Sequence, residues 1–421
     1  MIKRKKWSLQ FWLMICLLAV GIIGSPLYAS TQVEAWSFEQ LVRHAIATHP
    51  SVLARRSSAV AAHADLRTAV WQRYPGLAVE SSTEGLGDTP SATVVRVQQP
   101  LWTGGRITAG IDAASSRRDA AESMIKETTD EVTLKVITAY VEAVRQQARQ
   151  EAALLNVTEH EKLLEMIDRR VMQEVSPAVD KDLAESRLYQ AQNEFSLARQ
   201  ILDQALAQLA QLTGKLVKQV LDIQKNDDFH LPESRDLLLK QALARLPTLQ
   251  RLAAEEQAAA ADVTSSKALW WPQAVARYDK RFGHYPDDQA LLVIEMQPGA
   301  GLSSVSAVAA ARAKQDAARQ AQESALRDLS EQITVDWNEV QGARERLRGS
   351  LLARQKSAGI SESYARQYTA GRKSWLDVLN AVREATYAEY AVADVTAQLH
   401  GARMRLRLLS GELWASQIKQ D

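Results

Sequence analysis

The 421-residue sequence has a single cysteine, Cys16, set inside an apolar run near its start. With no second thiol there is no internal disulfide and no multi-thiolate metal site, so stability must come from packing. The segment LMIC at 13–16 also lacks the small residue that precedes a lipid-modified cysteine, and no lipid anchor is expected. Histidine is scarce too. His44, His49, His63, His160, His230, His284 and His400 are scattered, with no metal-ligand spacing. TGKL at 213–216 lacks the glycine-rich approach and the hydroxyl residue of a phosphate-binding loop, and reads as a helix end. Carboxylates are frequent on helical stretches, where they read as solvated faces rather than acid–base pairs. No cofactor and no enzymatic activity is expected. Net charge is close to zero at +1, and removing Lys3, Arg4, Lys5 and Lys6 leaves −3, which excludes a nucleic-acid footprint.

Breakers are few and unevenly placed. No proline separates Pro100 from Pro177, and no glycine separates Gly110 from Gly214. From Thr108 to Met172 the chain is rich in Ala, Glu, Lys, Arg, Gln and Leu, which predicts one helix over about 104–172, roughly 100 Å long. A second helix is expected over about 302–369, with mild bends at Gly342, Gly349 and Gly359. Each is followed by a shorter helix with a heptad seam. Leu188, Phe195, Leu202 and Leu209 form one series, and Ala184, Ala191, Ala198, Ala205 and Leu212 the other. This pattern implies left-handed supercoiling, with alanine letting backbones come close. Taken alone, the seam favours an ordinary soluble coiled coil.

The chain repeats itself at a spacing of 197 residues. Pro50 falls on Pro247, Pro75 on Pro272, Asp119 on Asp316, Tyr140 on Trp337, Glu142 on Glu339, Arg169 on Arg366 and Asp180 on Asp377. Two copies of one unit are expected, at 37–214 and 234–411. A linker at 215–233 joins them through the polar run KNDDFHLPES at 225–234, and 412–421 is a tail. Ahead of the first copy, four basic residues, an apolar run from Phe11 to Gly24 and then small residues read as a signal peptide over about 1–30. That run is too short to span a bilayer as a helix.

Between Pro75 and Pro100, and between Pro272 and Pro298, the helical pattern gives way to two-residue alternation. Strands are expected near 77–84, 92–99, 273–282 and 289–297. One face carries Leu77, Val79, Val95, Val97, Tyr278, Leu292 and Ile294; the other carries Glu80, Arg96, Arg277 and Glu295. Those four are candidates for a barrel lumen, the alternative being the exposed face of a soluble hairpin. Four strands cannot close a pore, because open edges are not tolerated in lipid, so several chains must share one barrel. Pro100 is expected to end its strand, Gly104 and Gly105 to make the turn into the long helix, and Pro298, Gly299 and Gly301 to form the matching joint.

These residues resemble the TolC family of outer-membrane efflux and secretion channels over essentially the whole mature chain. The double repeat, the QQPLWTGGR junction at 98–106 and the GRKSWLDVLNAVRE turn at 371–384 carry the resemblance. The second junction, PGAGLSS at 298–304, is similar to the agglutination-protein branch, including LapE-like channels for large adhesins. The fold this implies is mainly α with a small β part. It is a homotrimer whose shared twelve-stranded outer-membrane barrel continues into a twelve-helix periplasmic tunnel. The implied partners are outer-membrane lipid, a periplasmic adaptor (membrane fusion) protein and an inner-membrane ABC exporter or RND pump, with exported protein or small molecules as cargo. The resemblance also implies a gate at the tip, where Tyr368 and Lys373 link to the first-copy turn at Asp180 and three copies of Asp377 form a constricting ring. Asn380 replaces a second acid and Ser176–Pro177 a glycine, which puts strong cation selectivity and the usual adaptor contacts in doubt. For Asp180 and Asp377 the alternative is helix capping; for Tyr368 and Lys373 it is a solvated surface. Export of a large adhesin by type I secretion is the first functional expectation. Multidrug efflux is the second, and a periplasmic coiled-coil adaptor or structural protein is the reading from another class.

Overall fold

The computed structural model describes residues 35–82, 92–221, 234–283, 286–296 and 303–413, together with 232, 299 and 301. The expected signal peptide, Pro298, most of the polar run at 225–234 and the tail beyond Leu413 lie outside the described residues.

Helices α1 (Phe38–Thr48) and α2 (Pro50–Trp71) lead into strands β1 (Gly76–Ser82) and β2 (Ala92–Trp102). Helices α3 (Arg106–Met172) and α4 (Ala178–Thr213) follow. The same order then recurs: α5 (Arg235–Arg245), α6 (Pro247–Lys267), a short 3-10 turn at Ala268–Trp270, β3 (Gln273–Phe282), β4 (Asp287–Glu295), α7 (Ser303–Thr369) and α8 (Trp375–Ser410). Helices α3 and α7 are both 67 residues long, and α4 and α8 are both 36.

Local chemistry sets these boundaries. Ser37 opens α1 with a reciprocal capping box, its Oγ accepting from the Gln40 amide while the Gln40 side chain accepts from the Ser37 amide. Pro50 and Pro247 occupy the first turns of α2 and α6, where a missing N–H costs nothing and the preceding residue is held extended. Both long helices run unbroken through Thr369 and Met172, Gly342, Gly349 and Gly359 included.

Helix α3 is the hub, packing against α2, α4, α6 and α8. The alanine series of α4 is its buried stripe, with Ala184, Ala191, Ala198 and Ala205 all buried. One core gathers Phe38, Leu41, Val136, Tyr140 and Leu209, a second Leu238, Ile333, Val340 and Leu406, and a third lies at the α3–α4 and α7–α8 turns. The linker begins inside the first core, because Val217 and Val220 are apolar and buried, and Val220 bridges to Trp36. Among the described residues no helix is long and apolar enough to cross a membrane.

Candidate functional site

The four strands form one antiparallel sheet in the order β1-β2-β3-β4. The register decides which side chains share a face. Ala78, Arg96, Asp279 and Gln289 lie across from one another, as do Glu80, Val94, Arg281 and Asp287, and Gln98, Arg277 and Leu291. Glu80, Arg96, Arg277 and Glu295 therefore all stand on one face, as the alternation anticipates. Arg96 donates to Asp279 at 3.0 Å and lies 3.8 Å from Glu80. The opposite face carries Leu77, Val79, Val97, Leu292 and Ile294, all exposed, with Leu77 and Ile294 at 71%. Toward the hairpin tip that face also carries Lys280 opposite Asp288. A sheet with one charged face, one largely apolar face left exposed and two unpaired edges is incomplete as a water-soluble object.

At the helix end of the sheet, Pro100 does not end its strand. It pairs with Val275, and β2 continues to Trp102 after a register shift between the two. Proline has no N–H to donate, and a bulge is where a ladder tolerates that loss. Gly104 and Gly105 then turn the chain with φ of +60° and +88°. Gly105 is the N-cap of α3, and Thr103 ahead of it accepts at Oγ1 from the Ile107 amide at 3.3 Å. A Cβ on Gly104 would lie 2.6 Å from the Cβ of Trp271, so this turn needs glycine for both its backbone hand and its contact. Gly104→Ala should cost about 2–4 kcal/mol, combining the left-handed strain with overpacking. Thermal melting of the purified protein measures it. At the second joint Gly299 and Gly301 also have positive φ, +84° and +59°.

The tip is built around aromatic side chains. Tyr368 and Trp375 are 7% and 4% exposed, with ring centroids 5.1 Å apart. The Trp375 Nε1–H donates to the Asp180 carbonyl at 3.0 Å. The Arg170 guanidinium lies 4.9 Å over the Tyr368 ring, and the Tyr368 hydroxyl is 3.3 Å from Ser176 Oγ. Tyr368 thus reaches the first-copy turn. Lys373 does not; its Nζ sits 4.2 Å over the Tyr364 ring of its own α7, because the tight turn at 370–374 aims it back along that helix. Asp377 forms a capping box with Ser374, whose Oγ and amide both donate to it and hold its carboxyl below the ordinary carboxylate range. Asp180 stands in the first turn of α4 with favourable sign, and Asn380 is half-buried on α8.

Sequence reasoning missed two groups. Trp375 is the centre of the tip packing, although it was readable as a large apolar residue directly after a capping serine. Asp336 is 1% exposed and accepts from Arg405 Nε at 2.7 Å and from Gln332 at 2.9 Å. Its signal was the seam itself, since Leu329, Ile333, Asp336, Val340 and Ala343 recur at heptad spacing and a charge there demands a partner. Farther up, Arg149 of α3 holds Asp394 of α8 at 3.0 Å, while the Tyr390 hydroxyl donates to Glu194 of α4 at 3.2 Å. Three helices are tied at that level.

His160 is buried between α3, α4 and α8, in a small cavity lined by Arg187, Glu194, Arg383 and Thr386. Burial lowers its pKa, and Arg187 lowers it further against a weaker pull from Glu159. The folded form keeps this imidazole neutral, so its contribution is intact above the ordinary histidine pKa and is lost as pH falls below it. The melting temperature should therefore drop between pH 7.5 and pH 5, and His160→Gln should flatten that part of the dependence. An identical drop in the variant would remove His160 from the account. Among the described residues no cluster of His, Cys, Asp and Glu could hold a metal ion.

A family model for outer membrane efflux proteins matches residues 41–215, which is less than half of the 421-residue chain. Solved structures share the architecture over 89% of the chain. CusC, studied for transmembrane channel formation, is 16% identical with a TM-score of 0.80, covering 89% of this chain and 91% of its own. The outer membrane protein VceC of Vibrio cholerae is 17% identical with a TM-score of 0.77, covering 89% and 96%. The open-state MtrE outer membrane channel of Neisseria gonorrhoeae is 16% identical with a TM-score of 0.73, covering 89% and 88%. No curated protein matches the chain. At these identities the likeness establishes the fold: mainly helical with a small sheet, that of outer membrane channels.

Proposed function

We propose that the chain is the outer-membrane channel of a tripartite export system. It is a tandem duplication, 37–214 and 234–411, and three copies join their sheets edge to edge into a twelve-stranded barrel in the outer membrane. The charged strand face lines water and the apolar face meets lipid. The long helices of the three copies enclose a periplasmic tunnel that narrows at the Tyr368–Trp375 tip. An adaptor and an ATP-driven or proton-driven inner-membrane partner supply the energy, and the chain itself is a passive conduit.

The observation that carries this reading is the four-stranded sheet, with one bare apolar face, one charged face and both edges open. Lipid does not tolerate such edges, and copies of the same sheet remove them. A heat-modifiable trimer that inserts into planar bilayers and conducts ions is the expected result; a soluble monomer that never conducts would end the reading in favour of a periplasmic coiled-coil protein. For cargo, the PGAGLSS joint favours type I secretion of a large adhesin, with deletion removing that protein from the cell surface. The matching family's description favours small-molecule efflux, in which case deletion raises dye accumulation.

A further inference from the structure

We propose that the cavity beside His160 binds one small monovalent anion of the halide class, held between α3, α4 and α8. Its volume is about 80 Å³, against about 30 Å³ for a water molecule in the liquid, which admits a halide and excludes organic anions. The lining is rich in donors. His160 is 4% exposed, and its Nδ1 has no hydrogen-bond partner among the described residues. A buried polar nitrogen is costly unless something meets it. Asn156 Oδ1 accepts from the Thr386 hydroxyl at 2.9 Å and Gln190 Oε1 from Arg187 at 2.8 Å, which leaves both amide nitrogens with hydrogens to give.

Charge points the same way. Arg187 of α4 and Arg383 of α8 bring two guanidiniums to the cavity, and neither is in an ion pair among the described residues. The one lining carboxylate, Glu194, accepts from the Tyr390 hydroxyl at 3.2 Å. Glu159, on the same helix as His160, pulls on the imidazole more weakly than Arg187 pushes. A metal cation needs oxygen or nitrogen acceptors and would meet guanidiniums instead; an anion meets partners on three helices. Because an anion beside the ring favours the imidazolium, its uptake draws in a proton and tightens as pH falls. The place gives this a consequence. Twelve residues of α3 separate His160 from Met172, about 18 Å along the helix. Arg187 belongs to the α3–α4 coil and Arg383 to the α7–α8 coil, so a shared anion ties the two coils together near the tip and favours its closed state. That coupling rests on the channel reading above, whereas the site itself does not.

Crystals of the full-length protein soaked in sodium bromide at pH 6, with diffraction recorded at the bromine edge, test the site. One anomalous peak per subunit should lie among His160, Arg187 and Arg383. Arg187→Gln with Arg383→Gln should remove it, and Arg199→Gln, exposed elsewhere on α4, should keep it. In solution at fixed ionic strength, replacing gluconate by chloride should raise the melting temperature more in wild type than in the double variant, and more at pH 6 than at pH 8. The comparison with the variant cancels the general salt effect. Should the double variant not fold, Arg383→Gln alone, an exposed side chain, should weaken bromide binding about tenfold. No peak in wild type, a peak that survives loss of both guanidiniums, or the same chloride effect in wild type and variant overturns the site. In planar bilayers the double variant should raise the open fraction in chloride and leave it unchanged in gluconate; an equal rise in both overturns the coupling. A protein that never conducts ends the channel reading, while the bromide peak still decides the site.

Discussion

Replacing Trp375 with alanine opens the tip. In the proposed trimer, the variant should show a single-channel conductance several-fold above wild type, with its far-ultraviolet circular dichroism and trimer yield preserved. The indole is almost wholly buried, packs at a 45° tilt against Tyr368 and donates to the Asp180 carbonyl of the first turn. It is the point where α8 grips the α3–α4 coil. Removing a buried tryptophan costs about 3–5 kcal/mol, which is a factor of a hundred or more in the equilibrium between gripped and released tips. Tyr368→Phe removes only the hydroxyl contact to Ser176 and keeps the ring under Arg170, so its effect should be small by comparison. Lys373→Ala should do less still, because that side chain touches its own helix. Wild-type conductance in Trp375→Ala would show that the grip does not limit the pore.

Asp336→Ala should destabilise the fold by about 3 kcal/mol, read as a drop in melting temperature of the purified protein. Asp336 is fully buried in the seam, and its loss leaves the half-buried Arg405 without the carboxylate its Nε donates to. Breaking such a pair from one side costs about 3–5 kcal/mol, a large share of the stability of any domain. Arg405 is about a third exposed, so part of its charge can rehydrate and the lower end of that range applies. Replacing both, Asp336→Leu with Arg405→Met, should restore most of the loss, since an apolar pair of similar volume has no desolvation penalty. If the double variant melts as low as Asp336→Ala, the seam depends on that pair for more than charge balance.

The helices were legible in the sequence because α3 and α7 contain no proline and their ends carry the punctuation. The apolar face of the strands was legible for the same kind of reason, a strict two-residue alternation that the register preserves from Leu77 to Ile294. Pairing between the two halves was not. Nothing local announces that β2 lies beside β3, nor that the Arg96 guanidinium meets Asp279 across 183 residues. At the tip, Tyr368 was expected to link to the first turn at Asp180; its ring packs under Arg170 and its hydroxyl meets Ser176. Lys373 was expected to do the same and does not; a flexible ammonium goes to the nearest ring, and the turn places Tyr364 there. Trp375 was overlooked because a large apolar residue at a helix start looks like ordinary packing.

The open edges of β1 and β4 bear on genetics as well as on structure. In the proposed trimer every subunit completes two neighbours, so one copy with a damaged edge spoils the whole ring. Expressed in equal amounts with wild type, such an allele would leave about one ring in eight free of it. A lesion confined to Gly76–Ser82 or Asp287–Glu295 should accordingly behave as a dominant inhibitor, whereas a lesion that prevents folding altogether should be recessive.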